Sequence, residues 1–71
     1  MITYDPLWQT MQRKGITTYT LIKHYKFSRG TLDSLKQGRH ISTATLNDLC
    51  RLLDCPVEDV LAYRPDEPQD S

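Results

Sequence analysis

What the chain lacks narrows its chemistry first. No stretch approaches the roughly 18 consecutive apolar residues of a membrane-spanning helix, and the opening MITYDPLW shows no basic region leading into an apolar one. The expectation is a cytoplasmic protein with no membrane partner. Cysteine is scarce: Cys50 and Cys55 are the two in the chain. On a continuous helix, residues five apart point about 140° from one another, and no histidine stands near them in sequence. The pair therefore reads as reduced thiols packed in a core, with neither a disulfide nor a metal site expected. The three glycines form no phosphate-cradling loop, and no nucleophile, base and orienting acid are spaced to converge. Catalysis, a cofactor and a small-molecule ligand are not expected. With 71 residues there is room for one domain around one core.

Net charge is absent too, because nine Lys and Arg offset nine Asp and Glu. That balance conceals a separation along the chain. Between positions 13 and 39, Arg13, Lys14, Lys23, Lys26, Arg29, Lys36 and Arg39 face Asp33 alone, with His24 beside them. From His40 onward, Asp48, Asp54, Glu58, Asp59, Asp66, Glu67 and Asp70 outnumber Arg51 and Arg64. A cationic half joined to an anionic half suits a protein that presents one side to a polyanion; a solvated surface of uneven charge is the plainer reading.

The rest of the pattern is helical. Asp5 before Pro6 reads as an N-cap with proline at the first helical position, followed by Leu7, Trp8 and Met11 on one face and a stop at Gly15. Thr17 or Thr18 opens a second, short helix with Leu21, Ile22 and Tyr25 turned inward. Ser28 opens a third, whose Leu32 and Leu35 make a buried stripe before a stop at Gly38. Ser42 or Thr43 begins a fourth, in which Leu46, Leu49, Cys50 and Leu53 follow i, i+3, i+4, i+7. Pro56 starts a fifth, with Glu58 and Asp59 in its first turn and Val57, Val60 and Leu61 inward. The prediction is an all-α, compact five-helix bundle over residues 1–63, with RPDEPQDS, 64–71, as a flexible acidic tail. Only Lys26, Phe27 and Ser28 separate the second and third helices, so these cross at a large angle as a helix-turn-helix, with Phe27 filling the space beneath both.

The segment GITTYTLIKHYKFSRGTLDSLKQGR, followed by ISTATLNDLCRLLDCPVEDVLAY, resembles the small stand-alone branch of the Cro and phage-repressor type helix-turn-helix regulators. The resemblance runs from about Leu7 to Tyr63, and LNDLCRLLDCPVEDVL is its most specific part. It implies a lambda-repressor-like domain that binds double-stranded operator DNA sequence-specifically, generally as a homodimer, and regulates transcription. The recognition helix would be about Arg29 to Gln37, in the major groove. Arg29, Gly30, Asp33 and Ser34 then fall toward base edges, while Thr18, Ser28, Lys36 and Arg39 fall toward phosphates. His40 is left unassigned. Arginine can donate two parallel bonds to guanine O6 and N7; Asp33 either accepts from a cytosine N4 or holds the Arg29 guanidinium in position.

Three positions depart from the family pattern. Lys26 stands where glycine is usual in the turn, which would force a side-chain-bearing residue into the left-handed region. Gly30 stands where a base-reading side chain is common, and Thr18 stands where glutamine often reaches a phosphate. A dimer interface would draw on the fifth helix, Tyr63 or the Ile2 to Tyr4 arm. The rival reading is a protein-binding module, such as an antirepressor, antitoxin or adaptor, on the same scaffold. The cations kept on the second and third helices favour DNA.

Overall fold

The computed structural model describes residues 1–65. Four α-helices follow one another: α1 (Asp5–Lys14), α2 (Thr18–His24), α3 (Arg29–Lys36) and α4 (Thr43–Leu53). A single 3-10 turn, Val57–Asp59, comes next. Two short strands, β1 (Ile2–Thr3) and β2 (Ala62–Tyr63), pair antiparallel with Ile2 opposite Tyr63 and Thr3 opposite Ala62. From Asp66 onward the expected acidic tail lies outside the described residues. Arg64, where that tail was expected to begin, closes the ribbon: its amide donates to the Met1 carbonyl at 2.8 Å, and its guanidinium stands 3.5 Å from Asp5.

The fifth helix is therefore corrected to one 3-10 turn. The Val57 carbonyl accepts from the Val60 and Leu61 amides, but those of Asp59 and Val60, which a longer helix would use, go to α1. The Thr10 hydroxyl donates to the Asp59 carbonyl at 2.7 Å, and the Leu7 amide is shared between the Tyr4 carbonyl at 2.9 Å and the Val60 carbonyl at 3.1 Å. Val60 is fully buried by this docking, whereas Val57, expected to face inward, is 46% exposed. The chain then leaves as β2 to meet β1.

Side-chain caps set the other helix starts. The Thr17 hydroxyl accepts from the Thr20 amide at 3.1 Å, Ser28 from Thr31 at 3.3 Å, and Ser42 from Thr45 at 3.1 Å. The open choices at the second and fourth helices thus fall to Thr17 and Ser42. At α1 the expected cap is displaced by one: Tyr4 is the flanking residue, without a side-chain cap, and Asp5 is already helical. Gly15, at φ 70°, ends α1, and the Ile16 amide reaches back to the Met11 carbonyl at 2.8 Å.

Leu7, Met11, Leu21, Leu32, Leu35, Leu49, Leu53 and Val60 form the core, joined by Tyr4. Each helix thus contributes leucines its spacing marked, with Leu46 of α4 lying at the half-buried edge. Burying one such side chain is worth about 1.5–3 kcal/mol. Thr10 is the buried polar residue among them, satisfied by its bond to Asp59. Trp8, Ile22, Phe27, Leu46 and Leu61 pack half-buried against this cluster. Tyr25, expected inward, is instead 40% exposed.

Candidate nucleic-acid interface

The link between α2 and α3 holds two turns of helix against a common centre. The Phe27 amide donates to the Leu21 carbonyl at 2.9 Å, and the Phe27 ring lies half-buried against the core. Lys26 precedes it at φ 56°, in the left-handed region that its place in the turn demanded. Ser28 then starts α3 in extended backbone. Beside this turn a polar hollow of about 340 Å³ runs to α4, with Lys26, Ser28, Thr31, Thr45 and Arg51 on its walls. Arg51 is held there by Asp48 at 2.7 Å.

Leu32 and Leu35 fasten α3 to the core, which leaves the opposite face in solvent. Arg29, Gly30 and Asp33 are exposed on its first turns, Lys36 is exposed at its last residue, and Arg39 is exposed in the loop beyond Gly38. Ser28 is exposed with its hydroxyl engaged as the cap. Ser34 and Thr18 are half-buried, which makes them the least open of the eight residues singled out. Among the described residues no carboxylate pairs with Lys23, Lys26, Arg29, Lys36 or Arg39. Asp33 and Arg29 form no ion pair among the described residues.

Not all the cations of the basic segment gather here. Arg13 is 3.6 Å from Asp59, across the α1 contact with the 3-10 turn. Together with Lys14 it acts electrostatically on Cys55, beyond α4. Apart from Lys14 at the end of α1, the cations of this segment without an acidic partner among the described residues lie on α2, the turn, α3 and the loop after it.

One positioning residue has no local signal in the sequence. The Tyr4 ring is buried at 5% exposure, and its hydroxyl donates to the Arg39 carbonyl at 2.6 Å, 35 positions away. Tyrosine spacing carried no information because this contact joins the ribbon end of the chain to the loop after α3. Gly38, at φ 73°, turns that loop, and the Arg39 amide reaches back to the Ser34 carbonyl at 2.8 Å. Next to it His40 borders an apolar depression of about 310 Å³ with Ile41, Leu46 and Leu61.

This capped two-helix unit, tight turn and exposed third helix coincide with a family model for the Cro/C1-type helix-turn-helix DNA-binding domain, matched over residues 6–66. The chain belongs to that family. The Cro/C1-type fold is seen again in the crystal structure of the transcriptional regulator VanUg, which superposes with a TM-score of 0.81. The two are 22% identical, and the match covers 92% of this chain and 87% of that one. Comparison with curated protein sequences finds no match. The family resemblance drawn from the sequence thus stands, with four helices in place of five. No helix among the described residues is long and apolar enough to cross a membrane.

Proposed function

We propose that the chain is a sequence-specific, double-stranded DNA-binding transcriptional regulator that lays α3 in the major groove. One observation carries the reading. Lys23, Lys26, Arg29, Lys36 and Arg39 stand exposed and without acidic partners around α2 and α3, in a chain of zero formal net charge. Desolvating five unpaired cations against a neutral surface would cost free energy, whereas a phosphate backbone rewards it by releasing counterions. Arg29, Gly30 and Asp33 meet base edges, with Ser34 at the margin. Thr18, Ser28, Lys36 and Arg39 meet phosphates. A second copy on an adjacent half-site would supply further affinity, and Ile2, Val57 and Tyr63 are exposed apolar residues outside α2 and α3 that could make that contact.

Fluorescence anisotropy on duplex DNA over a salt series tests this. Log K should fall with log salt by about 0.9 for each phosphate neutralised. Lys36→Ala should lower that slope by about one, while Arg29→Ala should cost about 1–3 kcal/mol of preference over scrambled sequence. Absence of preference for any fragment in an unbiased genomic selection would sink the reading and direct attention to a protein partner.

A further inference from the structure

The continuous-helix premise that separated Cys50 from Cys55 does not hold. α4 ends at Leu53, and Asp54 takes φ 52° and ψ 56°. The chain reverses there: the Asp54 amide donates to the Arg51 carbonyl at 3.3 Å, and the Cys55 amide donates to the Cys50 carbonyl at 3.0 Å. This pair of bonds is the Schellman ending, which sets the residue after the left-handed position against the residue three before the last helical one. Here those two residues are both cysteines. With ordinary backbone dimensions the second bond limits their Cα separation to about 7 Å, and its bent path brings it lower, into the roughly 4.4–6.8 Å that a disulfide spans. Both thiols are free and half-buried, and both border one depression of about 390 Å³ with Leu46, Asn47, Pro56 and Val57.

We infer that Cys50 and Cys55 form a dithiol site that closes to an intramolecular disulfide when the chain meets a low-molecular-weight disulfide such as oxidised glutathione. One protein thiolate attacks the small disulfide, forming a mixed disulfide and releasing one small thiol. The second attacks the protein-bound sulfur, forms the Cys50 Sγ to Cys55 Sγ bond and releases the other. The protein loses two electrons and two protons, and the small disulfide becomes two thiols. Burial raises the Cys55 thiol above its ordinary value, with the neighbouring Cys50 adding to the effect, so steps using the Cys55 thiolate quicken as pH rises. The crosslink ties the end of α4 to the segment whose Asp59 and Val60 hold α1. It leaves the exposed face of α3 chemically unaltered.

The test equilibrates the full chain with a series of reduced and oxidised glutathione mixtures, with and without denaturing urea, and reads intact mass after acid quenching. The expected product is a monomer lighter by two hydrogens that retains no glutathione, while Cys50→Ser and Cys55→Ser each retain one glutathione. Folding should raise the equilibrium constant for the intramolecular bond at least tenfold over its value in urea. A wild-type chain that keeps glutathione, couples to a second chain, resists oxidation or shows no folded-state advantage would overturn the assignment.

Discussion

The Tyr4 hydroxyl donates to the Arg39 carbonyl at 2.6 Å, so a buried ring beside α1 fixes the loop that follows the proposed recognition helix. Tyr4→Phe keeps the ring and removes the bond. It should lower stability by about 0.5–1.5 kcal/mol in urea unfolding. If Arg39 grips a phosphate, DNA affinity should fall as well, with the salt slope reduced toward that of Arg39→Ala. A variant with unchanged stability and affinity would show that this bond positions nothing.

Lys26 carries the turn at φ 56°. A side chain in that region costs about 1–2 kcal/mol, whereas glycine occupies it freely but loses more chain entropy on folding. Lys26→Gly should therefore stabilise the fold by up to about 1 kcal/mol, read from the urea midpoint. The same change removes a free cation, so the variant should be more stable and bind DNA with a shallower salt dependence.

Gly30 separates stability from recognition. A Cβ placed there would meet only the Ser28 hydroxyl, at 3.6 Å, an ordinary van der Waals contact. Gly30→Ala should stabilise the chain by up to about 1 kcal/mol through helix propensity. If α3 lies close to base edges, the added methyl should nevertheless weaken binding to the preferred DNA. Anisotropy and urea unfolding on one preparation would show the two effects with opposite sign.

Cys55 predicts a fall in stability at alkaline pH. Burial raises its thiol above the ordinary value of 9.0, so above that pH the unfolded chain loses the proton while the folded chain retains it. Stability from this group is complete below pH 9.0 and declines as pH rises through the folded value. Under reducing conditions, the wild type should lose stability more steeply above that pH than Cys55→Ser does. Equal slopes would contradict it.

Much of this molecule is legible in local pattern. Ser28 and Ser42 announce helix starts because a short hydroxyl reaches an amide two or three residues on, and Gly15 announces a stop because glycine alone enters the left-handed region without cost. The leucine stripes find the core for the same reason of short range. The left-handed Lys26 is implied by the family resemblance, which puts glycine at that place in the turn. What escaped is what depends on distant partners. Strands of two residues have no period to detect, and the last helix became one turn because the carbonyls of Asp59 and Val60 serve Thr10 and Leu7. Asp54 gives a weaker stop signal than glycine, which hid the reversal that bonds the Cys55 amide to the Cys50 carbonyl. At the interface, the sequence supplied the cations; the structure sorted them, assigning Arg13 to Asp59 and leaving those of α2 and α3 free.

The β1 and β2 ribbon also bears on the order of assembly. Two residues per strand cannot outweigh the entropy of bringing together positions so far apart in the chain. Once Leu7 and Thr10 have captured Val60 and Asp59, only a few residues on each side remain to be closed. The ribbon should then zip outward from that anchor, and is expected to be the last native piece to form and the first to fray. Arg64, whose amide seals its end, would exchange its proton well ahead of the core leucines.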